Sequence, residues 1–118
     1  MNKLILVFFI AYNAFSQDII DTKRFESSDG IVLIEFWEEW NKSNQCKWLR
    51  DLEGVSCYRM RMNSTLAKKM KVSVLPTLVL FDESEYVEKW EGDITFSLPS
   101  GTKKRVQKSV DELNINQF

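Results

Sequence analysis

Apolar runs separated by turn residues mark the strands that this chain should form. Residues 31–37 are almost continuously apolar, which is typical of a strand buried on both faces. Residues 55–62 alternate only in part and predict a second strand, and 77–81 predict a third. The polar run 82–84 indicates a hairpin turn that leads into a fourth strand at 86–90.

Three other segments place apolar side chains at helical spacing. A short helix is predicted over residues 46–53, with Gly54 at its end. A second helix should follow the capping pair Asn63-Ser64, and a third should follow Gly101. The apolar faces of these last two helices consist of Leu66, Ala67 and Met70, and of Val106, Val110 and Leu113.

The element order is therefore strand, helix, strand, helix, hairpin, helix. Helices between the early strands predict parallel crossovers, whereas the tight turn at 82–84 predicts an antiparallel pair. Together they predict a mixed sheet covered by helices, which is an α/β sandwich.

Length and composition limit what this protein can be. The 118 residues suffice for one domain, and 44% apolar residues with four Trp and eight Phe can form a core. A net charge of -1 does not suit a nucleic-acid binder. The chain has no His and only two Cys, so we expect no metal site and no cofactor.

The first sixteen residues have the pattern of an export signal. Lys3 precedes the apolar run 4–11, and the stretch 14–16 carries small residues where a signal peptidase cuts. The run is too short to span a bilayer, so no stable membrane insertion is expected after cleavage. We therefore predict a signal peptide at 1–16, one domain at 17–118, and a periplasmic or extracellular location. The alternative is a buried first strand or helix.

Two motifs resemble the thioredoxin family. The segment Phe36-Trp37-Glu38-Glu39-Trp40, followed by Cys46-Lys47, resembles the family's F-W-A-x-W-C-x-x-C-K segment. Leu75-Pro76-Thr77 resembles its cis-proline loop, and 66–72 resembles the helix before that loop. The resemblance implies a three-layer α/β sandwich, in which a mixed sheet carries helices on both faces.

The redox motif departs from the family's pattern. Asn41 follows the second Trp, and one cysteine appears before the predicted helix, in Ser43-Asn44-Gln45-Cys46. In one alignment Cys46 takes the resolving position, because Lys47 follows it, and Ser43 replaces the nucleophile. In the other, Cys46 is an exposed nucleophile at a helix N-terminus, where its thiol pKa would fall. Ser43 has no histidine to act as its base, so its expected role is a helix cap.

Glu35 interrupts the apolar strand at the position that resembles the family's buried acid. There a carboxyl group would have a raised pKa and would shuttle a proton to a thiol. The alternative is a strand-edge glutamate that reaches solvent, or a relic with no dithiol to serve.

The resemblance also implies a peptide-binding groove. In the family the backbone just before the cis-proline pairs with an extended peptide, so Leu75 should present its backbone at the surface beside Pro76 and Thr77. Trp37 and Trp40 would flank the groove, with ordinary packing the alternative, more so for Trp37.

Cys57 lies in the predicted second strand, where a buried free thiol is the default interpretation. Export to an oxidising compartment raises the alternative of a Cys46–Cys57 disulfide.

Three functions stay open at this point. The leading hypothesis is a non-catalytic module with a degenerate active site that binds a protein or an extended peptide. The second is a weak single-thiol disulfide oxidoreductase that uses Cys46. The third is a structural subunit of an envelope complex.

Overall fold

The computed structural model describes residues 19–116 of the chain. Within this range the four strands are β1 (Ile31–Trp37), β2 (Ser56–Arg61), β3 (Thr77–Asp82) and β4 (Glu85–Glu91). The α-helices among these residues are α1 (Thr22–Glu26), α2 (Thr65–Lys69) and α3 (Thr102–Ile115), and two 3-10 helices span Glu39–Asn44 and Leu49–Asp51.

The sheet is mixed, with strand order β2-β1-β3-β4. Strands β1 and β2 are parallel, whereas β3 is antiparallel to both β1 and β4. The prediction of parallel crossovers is thus correct for β1 and β2 and wrong for the connection through α2. That helix has only five residues and does not carry the chain back along the sheet. β3 therefore starts at the end where β1 and β2 finish.

Helices cover both faces of the sheet, as predicted. On one face Val32, Ile34 and Phe36 of β1 pack with Phe25 of α1 and with α2. On the other face Leu33 packs with Leu49 and with Val106 and Val110 of α3. Because β1 is central and apolar on both sides, all seven of its residues are buried.

The β3–β4 hairpin closes with the two-residue loop Glu83-Ser84. Both residues have positive φ, 51° and 68°, the backbone of a type I′ turn. Glu83 is held there because its N–H donates to the Gly30 C=O (2.9 Å) and its carboxylate accepts from the Gly30 N–H (3.1 Å). The loop before β1 thus fixes the hairpin.

The helix predicted over 46–53 is wrong. The chain instead forms the two 3-10 helices, and Cys46 lies between them in irregular backbone. Ser43 lies inside the first 3-10 helix and is exposed, so its predicted role as a cap is also wrong. Ser64, by contrast, caps α2 as predicted, because its hydroxyl accepts the Ala67 N–H at 3.1 Å.

The export signal at 1–16 lies outside the described residues. Over the range 19–116, no helix is long and apolar enough to cross a membrane.

Candidate functional site

Three chain segments meet at one end of the sheet. β1 ends at Trp37, β3 begins at Thr77 and β4 ends at Glu91. In the register of the sheet Thr77 stands between Phe36 of β1 and Glu91 of β4. The loops that follow β1 and β4 therefore flank Leu75 and Pro76, which lead into β3.

Glu35 joins the cysteine segment to the sheet through a closed set of hydrogen bonds. One carboxylate oxygen accepts the Cys46 N–H at 2.7 Å, and the other accepts Nε of Arg59 at 2.9 Å. The Arg59 guanidinium also donates to the Cys46 C=O at 2.7 Å. Arg59 is the register partner of Glu35 on β2, so the sheet itself places the two side chains together. We call these three residues the Glu35 cluster.

Glu35 is entirely buried, so the alternative of a strand-edge glutamate in contact with solvent is wrong. Burial raises the pKa of its carboxyl group, and the Cys46 N–H and Arg59 oppose that rise. Both oxygens already accept hydrogen bonds, and the contact with Cys46 is to its main chain. The geometry therefore supports a positioning role for Glu35, and the proton shuttle stays a prediction.

Both thiols are poorly suited to ionise. Cys46 is 4% exposed, and burial followed by the negative charge of Glu35 raises the pKa of its thiol to about 12. Burial also raises the pKa of the Cys57 thiol to about 12, although Arg59 opposes the rise. The Cys57 thiol donates to the Leu49 C=O at 3.5 Å. Both cysteines are free, so the Cys46–Cys57 disulfide left open by the sequence is not formed here.

The residues predicted for the peptide groove are mostly buried. The Leu75–Pro76 peptide bond is cis. Leu75 is only 1% exposed, and Pro76 and Thr77 are buried beside it. The expectation that Leu75 presents its backbone at the surface is therefore wrong. Within residues 19–116, neither the N–H nor the C=O of Leu75 has a hydrogen-bond partner.

Three large apolar side chains are exposed on the loops at this end. Trp40, Ile94 and Phe96 are 65%, 94% and 44% exposed, and we call these three side chains the Trp40 rim. The Phe96 ring meets Trp40 edge-on, with centroids 5.4 Å apart and planes at 89°. Trp37 is buried and lies under the Arg61 guanidinium, 5.1 Å from its ring centroid. Trp37 is thus a packing residue, and Trp40 is available at the surface.

Comparison with known proteins gives matches only among solved structures. No protein-family model and no curated protein matches the sequence. Malassezia sympodialis thioredoxin is similar with a TM-score of 0.60 and 18% identity, over 83% of this chain and 90% of that one. A mutant thioredoxin from Halobacterium salinarum is similar with a TM-score of 0.61 and 18% identity, over 85% and 92% of the two chains.

A third similar chain belongs to a structural study of thiol resolution in yeast mitochondrial 1-Cys peroxiredoxin via glutathione/thioredoxin systems. Its TM-score is 0.62 and its identity 19%, over 79% of this chain and 95% of that one. All three matches have TM-scores of 0.60 or more, and the sheet of this chain is mixed with helices on both faces. The fold is thioredoxin-like. Identities below a fifth establish the fold alone, so activity has to be argued from the site.

Of the two predicted alignments, the one with Cys46 as an exposed nucleophile is wrong, and the one with Cys46 in the resolving position stays a prediction. Cys46 is not an exposed nucleophile at a helix N-terminus, because it is buried and no helix begins at it. Ser43 is exposed, and the chain has no histidine to activate its hydroxyl. Neither Cys46 nor Ser43 is therefore in a setting that would make it a reactive nucleophile.

Three residues of the site were missed in the sequence. Arg59 lies within the predicted second strand, where the sequence pattern assigns it no role, although a buried carboxylate in the neighbouring strand favours a paired cation. Asn41 is 5% exposed and donates to the Phe96 C=O at 3.4 Å. Phe96 carries no sequence signal, because its contact with Trp40 depends on two loops that are far apart in the chain.

Proposed function

We propose that this chain is an exported, non-catalytic thioredoxin-like module that binds an extended segment of a partner protein. The observation that carries the proposal is the state of Cys46, which is buried and has a thiol pKa near 12. At neutral pH such a thiol is almost wholly protonated, and the thiolate is the form that attacks a disulfide.

The binding role is supported by the Trp40 rim. Large aromatic side chains that stay exposed beside apolar neighbours are typical of surfaces that contact other proteins. The Glu35 cluster adds support, because it fixes the segment that follows the first 3-10 helix. A surface on a fixed segment loses less conformational entropy when a partner binds.

An extended peptide is the proposed partner because of Leu75. Its N–H and C=O have no hydrogen-bond partner within residues 19–116 and lie in a buried setting, where an unpaired polar group is costly. A peptide in strand conformation offers one donor and one acceptor to such a pair. The resemblance to thioredoxins supports the same choice, with Pro76 and Thr77 fixing the backbone beside Leu75.

Export is the second part of the proposal, and it rests on the sequence of residues 1–16. Cleavage after Ser16 would place the N-terminus of the mature chain at Gln17 in the periplasm or outside the cell. Intact mass spectrometry of the secreted or periplasmic fraction tests this. A chain that retains Met1 after export would contradict it.

The single-thiol oxidoreductase is the rival function, and an insulin reduction assay separates the two. We expect no turnover above that of the reductant alone, and we expect Cys46→Ala to retain the wild-type affinity for a peptide. The peptide probe is a blocked decapeptide of alternating threonine and valine, followed by tryptophan fluorescence. Catalytic reduction that disappears in Cys46→Ala would overturn the binding proposal in favour of the enzyme.

As a structural subunit of an envelope complex, the third candidate function, the protein would use the same surface. This function differs in that the partner would stay bound through purification from the native envelope, whereas a transient peptide binder would purify alone.

A further inference from the structure

The Trp40–Phe96 contact joins two loops that do not follow neighbouring strands. Trp40 lies in the 3-10 helix after β1, and Phe96 lies in the loop after β4. In the sheet, β3 separates β1 from β4. A contact between the two loops therefore has to cross the entry to β3, which is formed by Leu75 and Pro76.

Two interactions make this crossing. The rings of Trp40 and Phe96 meet edge-on at 5.4 Å, and the buried Asn41 amide donates to the Phe96 C=O at 3.4 Å. Asn41 is itself held, because its side-chain oxygen accepts from the Asn44 amide at 3.2 Å. The loop after β1 and the loop after β4 are thus joined through both the ring and the main chain of Phe96.

The loop that carries Phe96 is built to present it. The Asp93 carboxylate accepts the Thr95 N–H at 2.8 Å, and the Asp93 N–H donates to the Ser97 C=O at 3.0 Å. Phe96 has φ of +59°, which a residue with a side chain adopts at a cost. A backbone conformation of this kind is maintained only where surrounding contacts determine it.

The start of the same loop lies against Leu75. The Gly92 N–H donates to the Pro76 C=O at 2.8 Å, and a Cβ on Gly92 would come within 2.9 Å of the Leu75 carbonyl oxygen. The loop therefore lies against the Leu75 C=O, which has no hydrogen-bond partner among residues 19–116, and Leu75 is 1% exposed.

We propose that the Trp40–Phe96 contact and the Asn41–Phe96 hydrogen bond form a clasp that closes over Leu75 and regulates its access to a peptide. This inference rests on the proposed peptide-binding function. The closed clasp shields the Leu75 N–H and C=O. Opening it separates the loop after β4 from the first 3-10 helix and exposes both groups, together with the inner edge of Trp40.

Amide hydrogen exchange of the full chain tests the clasp without any ligand. Phe96→Ala removes the ring contact, and we expect exchange over residues 73–77 to become about tenfold faster. Ile94→Ala is the matched control, because it removes an apolar side chain of the same loop that is 94% exposed. Phe96→Leu, which keeps the bulk and loses the ring, serves as the second variant should Phe96→Ala fold poorly.

Peptide binding to the same variants separates the two proposals. If the clasp limits access, a larger fraction of Phe96→Ala molecules than of wild-type molecules has the clasp open. The alternating threonine–valine decapeptide should then bind Phe96→Ala up to about tenfold more tightly than wild type. Equal exchange at 73–77 in Phe96→Ala and Ile94→Ala would overturn the clasp. Because Phe96 is also a rim side chain, Ile94→Ala gives the loss of affinity expected from one missing rim contact. Faster exchange with binding no tighter in Phe96→Ala than in Ile94→Ala would overturn the regulatory role. Faster exchange with no peptide bound by any variant would leave the clasp in place and overturn the proposed function.

Discussion

The Glu35 cluster and the Trp40 rim lie on the same end of the sheet and differ in almost every physical property. The cluster is buried and charged, and each of its polar atoms described above has a partner at 2.7–2.9 Å. The rim is exposed and apolar, and its main contact is one aromatic pair. In a redox thioredoxin-like protein we would expect the reverse at the cysteine, an accessible thiol that readily ionises.

The difference shows that one end of the sheet combines a buried, hydrogen-bonded framework with an exposed apolar surface. In the cluster, the Glu35 carboxylate accepts a hydrogen bond from the main chain of Cys46. The same negative charge raises the pKa of the Cys46 thiol, so it does not favour the thiolate. The exposed apolar side chains lie on the loops that follow β1 and β4. The four predictions below test each half of this comparison.

The largest expected effect concerns thiol reactivity. With thiol pKa values near 12 in place of 9.0, the thiolate fraction of Cys46 and Cys57 at pH 8 is about a thousandfold lower. Alkylation by iodoacetamide should therefore be at least about a thousandfold slower in the native protein than in denaturant. Comparable rates in the two states would show that the cysteine region is open after all.

The second prediction breaks the Glu35 cluster. Arg59→Met leaves the buried carboxylate without its cation, and we expect a loss of about 3–5 kcal/mol in the free energy of unfolding, measured with urea. Arg61→Met on the same strand is the matched control. Its pair with Glu38, at 3.2 Å, is more exposed and should cost about 1 kcal/mol or less. Equal losses would mean that the buried Glu35–Arg59 pair contributes no more to stability than a partly exposed ion pair.

The third prediction concerns alkaline pH. The folded thiol pKa values lie above the unfolded value of 9.0, so the folded state retains protons that the unfolded state loses. The resulting stabilisation is complete below pH 9 and disappears as the pH rises from 9 to 12. The free energy of unfolding should fall by on the order of 1 kcal/mol per thiol between pH 9 and 10. Urea unfolding at pH 8, 9 and 10 measures this loss of stability. In the double variant Cys46→Ala/Cys57→Ala, the part of the pH dependence that comes from the thiols should be absent.

The smallest expected effect is on the stability of the rim. Ile94→Ala removes a side chain that is almost wholly exposed, so the free energy of unfolding should change by less than about 0.5 kcal/mol. Trp40→Ala should cost about 1 kcal/mol, mainly from the aromatic pair. Thermal denaturation checks both. A loss of several kcal/mol at Trp40 would show that the rim is part of the core and is not a surface kept for a partner.

Sequence alone determined the secondary structure where apolar runs were long or turns were tight. The buried strand 31–37, the hairpin and the last helix with Val106 and Val110 inside are all found. These elements were predictable because period and turn chemistry are local properties of the chain. The two motifs that resemble thioredoxins then determined the fold class.

Tertiary structure decided the chemistry of the site. The helix predicted from residue 46 does not form, and the Cys46 N–H is bound by Glu35, eleven residues earlier, instead of beginning a helix. Whether that cysteine is a nucleophile depends on burial and neighbouring charge, which come from β1 and β2 lying side by side. Likewise, Trp40 meets Phe96 because β3 is antiparallel to both β1 and β4, which places the loops after those two strands at the same end of the sheet. Local patterns in the sequence specify which elements form, whereas contacts between distant segments set the pKa and the exposure of each side chain.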